Sequence, residues 1–234
     1  MGLFDFLKKP SVTKPASKVA TDAPYANSST NYIYNLLFCD DIDLYKSRTT
    51  PPYQYPFSVL FESKSSEESL QKIIDDINME PRIRLLAYNK MKRDGYEIKK
   101  KELLAVIVEV GLPEGLDVLA SFADGTARYI NASGKLLVWE NHEDAIANEL
   151  IKELFSHSIN IIDQIGTWEE KRKQHPVQGN TRITFLASDG LYFGEAATNV
   201  LFGNKLASPA LMTATRLLQY VTETALKIDK TKGE

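Results

Sequence analysis

The spacing of apolar positions changes several times along this chain, and the changes divide it. Residues 10–30, PSVTKPASKVATDAPYANSST, show no apolar period and are rich in Ser, Thr, Ala and Pro, the composition of a flexible tether. Ahead of it, residues 2–9 place Leu3, Phe4, Phe6 and Leu7 before two lysines. That is enough for weak docking to a membrane surface or a partner, and too little apolar area for stable anchoring. The division read from this is a flexible tail over 1–30 and a single domain over 31–234.

Tyr32 to Leu44 fits a short helix, although Tyr32, Tyr34, Leu36 and Phe38 also alternate as a strand would. Leu70, Ile73, Ile74 and Ile77 then recur at helical spacing behind a capping box of Ser65 and Glu68. Pro81 opens a further helix that ends near Gly95. From Leu103 the period falls to two. Four strands are predicted over 103–110, 116–122, 127–131 and 135–140, separated by a Pro-Glu-Gly loop, an Asp124-Gly125 turn and a Ser133-Gly134 turn. A long helix over 142–165 follows, with Ala147, Leu150, Ile151, Leu154, Phe155 and Ile162 on one side. After a polar connection, 181–187 and 191–195 read as a hairpin around Asp189-Gly190. Ser208 as cap and Pro209 as first helical residue open a last helix, which repeats Leu211, Ala214, Leu218, Val221, Ala225 and Ile228. The fold class is therefore α+β: an antiparallel β-meander plus a β-hairpin, with helices packed on the sheet.

Two-residue turns would fix the register of the meander, and register decides which side chains share a face. With those turns, and with a Gly111–Gly115 loop that closes symmetrically, Leu104, Val106, Val108 and Val110 join Leu116, Val118, Ala120 and Phe122 on a core face. The opposite face carries three rows. Ile107, Leu119, Ile130 and Leu137 make an apolar middle row, which implies that this side is covered as well. Ala105, Ser121, Arg128 and Trp139 make the second, with Arg128 stacked on the indole. The third sets Glu109 directly opposite Asp117, near Lys135. Two facing carboxylates repel unless a proton, a cation or solvent relieves them. Glu109, Asp117, Ser121, Arg128, Lys135 and Trp139 are accordingly the candidate binding surface.

Composition narrows the chemistry. The 234 residues carry 28 Lys and Arg against 31 Asp and Glu, a net charge of -3, which disfavours broad nucleic-acid binding. The charge is segregated: 62–80 is locally acidic and 82–101 locally basic, but Arg82, Arg84 and Lys92 point to different sides of a helix and read as solvated. One cysteine, Cys39, and three histidines leave no disulfide within the chain and no zinc finger. No apolar run is long enough for a membrane span or a signal peptide, and the expected location is the cytoplasm. Asp41 and Asp43 follow an apolar segment but lack the residues of a phosphatase motif or an EF-hand. Glu149, Glu153 and His157 share a helical flank without the spacing of a diiron site.

The strings GLDVLASFADGTARYINASGKLLVWE and FLASDGLYFGEA resemble a group of uncharacterised bacterial proteins over roughly residues 100–225. That resemblance implies a bacterial cytosolic protein and brings no activity, cofactor or catalytic residue with it. The function expected is a non-enzymatic binding or interaction module, one that regulates or neutralises another protein. No cofactor is expected. The alternative is a metal-assisted or acid/base hydrolase centred on the Glu109 and Asp117 pair.

Overall fold

The computed structural model describes residues 23–232. The amphipathic segment 2–9 and most of the expected tether lie outside the described residues. Eight helices and six strands appear in the order α1 (Ser28–Leu36), α2 (Ile42–Lys46), α3 (Phe57–Leu60), α4 (Glu67–Asp75), α5 (Pro81–Asp94), β1 (Leu103–Leu112), β2 (Gly115–Phe122), β3 (Ala127–Ile130), β4 (Leu136–Trp139), α6 (Ala145–Ile162), β5 (Asn180–Ala187), β6 (Gly190–Ala197), α7 (Thr198–Gly203) and α8 (Ser208–Lys232). The sheet is antiparallel throughout, with strand order β4-β3-β2-β1-β5-β6. It is the α+β meander and hairpin that the periodicity predicts. No helix among the described residues is long and apolar enough to cross a membrane.

Helices cover the sheet on both sides. Alternate residues Val106, Val108 and Val110 of β1 pack with Leu119, Ile183 and Phe185 against Ala147, Ile151 and Leu154 of α6 and Leu211, Leu217 and Leu218 of α8. The other set, Leu104, Ala105, Ile107, Val118, Ala120 and Phe122, packs against Tyr34 and Phe38, Leu70 and Ile73, and Leu85 and Leu86 from the N-terminal helices. All ten residues of β1 are buried, as its nearly continuous apolar run requires.

Local sequence sets most element ends. Pro81 stands at the start of α5 and Gly95 closes it with φ of +88°. Ser66, one residue later than expected, caps α4 by accepting from the Ser69 amide. Ser65 instead donates its hydroxyl to the Val59 carbonyl at 2.7 Å. Asp144, extended at φ -74° and ψ 102°, caps α6 by accepting from the Ala147 amide, so the helix begins later than residue 142.

Two expectations change on the N-terminal side. Residues 23–30 pack on the body, because Tyr25 is buried with its hydroxyl donating to the Leu116 carbonyl at 2.9 Å, and Asn27 caps α1 through the Ser29 and Thr30 amides. Within the basic stretch, Lys90 is not solvated. Its ammonium lies 2.9 Å from the Asp94 carboxylate, with both side chains buried. Helical period alone could not show this, since α4 and the Ser65 amide close over the side of α5 that carries the pair.

Removing the Tyr25 ring should therefore cost about 3 kcal/mol, and Asn27→Ala about 1 kcal/mol. Urea denaturation of each variant against wild type measures both.

Candidate functional site

The register of the meander differs from the expected one by one position at each hairpin. Leu112 pairs with Gly115 across a tight Pro113-Glu114 turn, so Val110 rather than Glu109 lies opposite Asp117, and Glu109 lies opposite Val118. At the next two hairpins, Gly125 and Gly134 are the last residues of three-residue loops, with φ of +87° and +81°. This is the bulged geometry in which glycine takes the left-handed position after a type I turn. Each slip turns over the following strand relative to its neighbour. The net result is that β2 and β4 present the opposite faces from those expected, while β1 and β3 keep theirs.

The six candidate residues are thereby dispersed. Glu109 and Arg128 remain on the side of α1–α5. Asp117, Ser121 and Trp139 lie on the side of α6 and α8, and Lys135 is exposed at the β3–β4 turn. Asp117 is buried and accepts from the Ala132 amide at 2.7 Å and the Tyr129 hydroxyl at 3.1 Å, tying β2 to the neighbouring turn. Trp139 packs edge-to-face with Tyr220 of α8 at 6.2 Å between ring centres, not with Arg128. Arg128 pairs with Glu140 and donates to the Trp139 carbonyl at 3.3 Å. No group of three or more His, Cys, Asp and Glu among the described residues could hold a metal ion. Asp41 caps α2, and Glu153 binds Thr213 and Arg216 of α8.

Glu109 has a different set of partners. Its neighbour across the β1–β5 pairing is Arg182, whose neighbour across β5–β6 is Glu195. A row of alternating charge thus crosses three strands on one face. Arg182 bonds Glu195 at 2.7 and 2.9 Å and lies 3.7 Å from the Glu109 carboxylate, while the Tyr34 hydroxyl donates to Glu109 at 2.7 Å. Burial holds the Glu109 carboxyl above the usual range, with Arg182 opposing the shift. Burial likewise raises the Tyr34 hydroxyl, and the Glu109 charge adds to it.

The segment 167–179, connecting α6 to β5, is strapped over this row. Arg182 donates to the carbonyls of Lys173 and Gln174. Arg172 lies 3.9 Å from the Phe38 ring centre and pairs with Asp40 at 2.7 Å. Gly111 lets the strap approach β1 closely, since a Cβ there would lie 2.1 Å from the Val177 carbonyl oxygen. At its start the strap bonds the outer side of β6, where the Trp168 amide donates to Leu191 at 2.7 Å. Strap and strands enclose an open cleft of about 520 Å³ lined by Lys173, His175, Arg182, Phe193 and Glu195.

β4 forms the opposite edge of the sheet. Among the described residues no strand pairs with the outer side of β4. The Asn131 amide bonds the Lys135 carbonyl, and alternation from that pair directs the N–H and C=O groups of Leu136 and Val138 outward. Their side chains, on the α1–α5 side, are 40% and 50% exposed. An edge that offers both unpaired backbone and apolar side chains is a template for another extended segment. Alternation within 135–140 makes a strand legible, but its edge position follows only from the strand order.

No protein-family model matches the chain, and no curated protein matches it in sequence.

Two measurements test this account. Gly111→Ala should destabilise the protein by more than about 2 kcal/mol, because the new methyl meets strap backbone that cannot move aside cheaply. An unchanged urea midpoint would show that the strap is not seated on β1. The Glu109 carboxyl holds its proton more tightly folded than unfolded, so its contribution to stability falls as pH rises from the unfolded value of 4.5 through the higher folded one. Wild type should therefore lose stability relative to Glu109→Gln across that interval, measured by urea denaturation at a series of pH values.

Proposed function

We propose that this protein is a non-enzymatic binding module that takes an extended segment of another protein along the free edge of β4. The observation that carries the reading is the pairing of outward backbone groups with half-exposed Leu136 and Val138 on one short strand. Main-chain hydrogen bonds would provide affinity, and the two apolar side chains would select residues at alternate positions of the incoming segment. The far edge supports it by contrast, since there the strap already bonds β6.

The hydrolase alternative rested on facing carboxylates, and Glu109 and Asp117 stand on opposite sides of the sheet. Each is engaged by its own tyrosine hydroxyl, Tyr34 or Tyr129. A partner met in a reducing bacterial cytosol fits the same reading. Cys39 is a buried free thiol whose pKa burial pushes up to about 12, which leaves it unreactive.

A photoreactive residue at position 138 should cross-link a partner in the native cell, whereas one at Val200, 57% exposed on α7, should not. Val138→Lys should weaken the recovered complex at least about tenfold while changing stability by less than about 0.5 kcal/mol. Equal capture at 138 and 200 would remove β4 as the binding edge.

A further inference from the structure

A helix runs past the same edge that β4 forms. Ala214, Thr215 and Leu218 of α8 line a small cavity with Val108 of β1, Leu119 of β2 and Tyr129 of β3, and further along the helix the Tyr220 ring meets Trp139 of β4. α8 thus crosses the sheet toward β4 and continues beyond it. Residues 222–232 rise about 16 Å, the width of about three strands, and in this stretch Glu223 is exposed and Leu226 is 62% exposed. Strand edge and projecting helix together form a notch.

That notch is complementary to itself across a twofold axis. The outward N–H and C=O groups belong to Leu136 and Val138. Antiparallel pairing centred on Leu137 sets Leu136 of each copy opposite Val138 of the other, which satisfies all of these groups at once. On the α1–α5 side the half-exposed Leu136 and Val138 then meet their counterparts. On the other side the two Leu137 residues meet at the axis, and each α8 reaches over the second copy's strand. Charge selects the same arrangement. It sets the Lys135 end of each strand beside the end that carries exposed Glu140 and Glu143, and places Lys135 opposite Trp139, next to the turn of α8 that bears Glu223. Parallel pairing would set Lys135 against Lys135. A four-residue edge alone falls short of the about 800 Å² per partner of a standard interface, and the projecting turns of α8 add to it.

We infer that β4 pairs with β4 of a second copy in an antiparallel twofold dimer clasped by the two α8 ends, and that a partner segment must displace the second copy to reach the edge. The inference rests on the reading of β4 as the docking edge and adds the regulation of that edge.

Sedimentation of the full-length chain over a dilution series, together with disulfide trapping, tests it. Wild type should be a dimer that dissociates on dilution. Leu226→Glu, which changes an exposed side chain outside the strand, should raise the dissociation constant at least about tenfold. Leu137→Cys should form an intermolecular disulfide under mild oxidation, because its Cα atoms would face each other at about 4.5 Å. Leu136→Cys and Val138→Cys should not, because each would lie about 8 Å from its own counterpart. Removing the competitor should also raise the capture of another protein by the photoreactive residue at position 138. A chain that stays monomeric up to about 0.1 mM would overturn the inference, as would a dimer in which position 136 or 138 self-links as readily as 137. Capture that does not rise in a monomeric Leu226→Glu variant would overturn the competition. The two readings fail separately. Were only the partner reading wrong, position 138 would capture its own chain alone while the dimer persisted. Were only the dimer wrong, the chain would be monomeric while position 138 still captured another protein.

Discussion

A strand buried along its whole length must settle every polar group it carries indoors. β1 is such a strand, and Glu109 is its one charged residue. An isolated buried carboxylate costs several kcal/mol unless it is paired or keeps its proton. Here Arg182 from the next strand and the hydroxyl of Tyr34 from α1 answer it. Arg182 in turn needs more acceptors than Glu109 supplies, and takes Glu195 together with two carbonyls of the strap. The demand of one carboxylate thus fixes the seating of α1, of β5 and β6, and of the long connection that precedes them.

The same arrangement leaves the sheet asymmetric. On the β6 side, strap, rings and charges form a closed margin: Trp168 meets Phe193 at 5.1 Å, and the Lys173 ammonium lies over both rings. On the β4 side, α8 covers one face through Tyr220 on Trp139, while on the other Leu136 and Val138 are half-exposed and, among the described residues, no strand pairs with the outer edge. Natural sheets blunt exposed edges with short strands and charge, and β4 is short, with Lys135 and Glu140 flanking it. Its outer side chains Leu136 and Val138 are nonetheless apolar and half-exposed.

Local signals made most elements legible. Period-two alternation located the meander and the hairpin, helical period located α4, α5, α6 and α8, and Pro81 and Gly95 marked the two ends of α5. The apolar middle row, Ile107 with Ile130, indicated that the second face would be covered, as it is. The candidate site was less legible. Both Asp-Gly and Ser-Gly suggest two-residue turns, yet three-residue loops with glycine in the left-handed position accept the same residues. The Glu109 and Asp117 pair required the Gly111–Gly115 loop to close symmetrically, whereas Leu112 pairs with Gly115 across a two-residue turn, and one position of slip there reverses the facing of a whole strand. The lone charge inside each of two apolar strands, Glu109 and Arg182, was the available sign of the interior row.

The sequence by itself determined the elements, their order and the antiparallel chaining of neighbours, because each follows from the period and turn chemistry of a few adjacent residues. Tertiary structure alone decided that β5 lies beside β1, that Glu109 meets Arg182 rather than Asp117, and that β4 ends the sheet. Those outcomes depend on β1 and β5 coming together across the 67 residues of intervening chain between Leu112 and Asn180. Desolvated charge and two apolar layers, satisfied at once, select that pairing, and no local pattern encodes it.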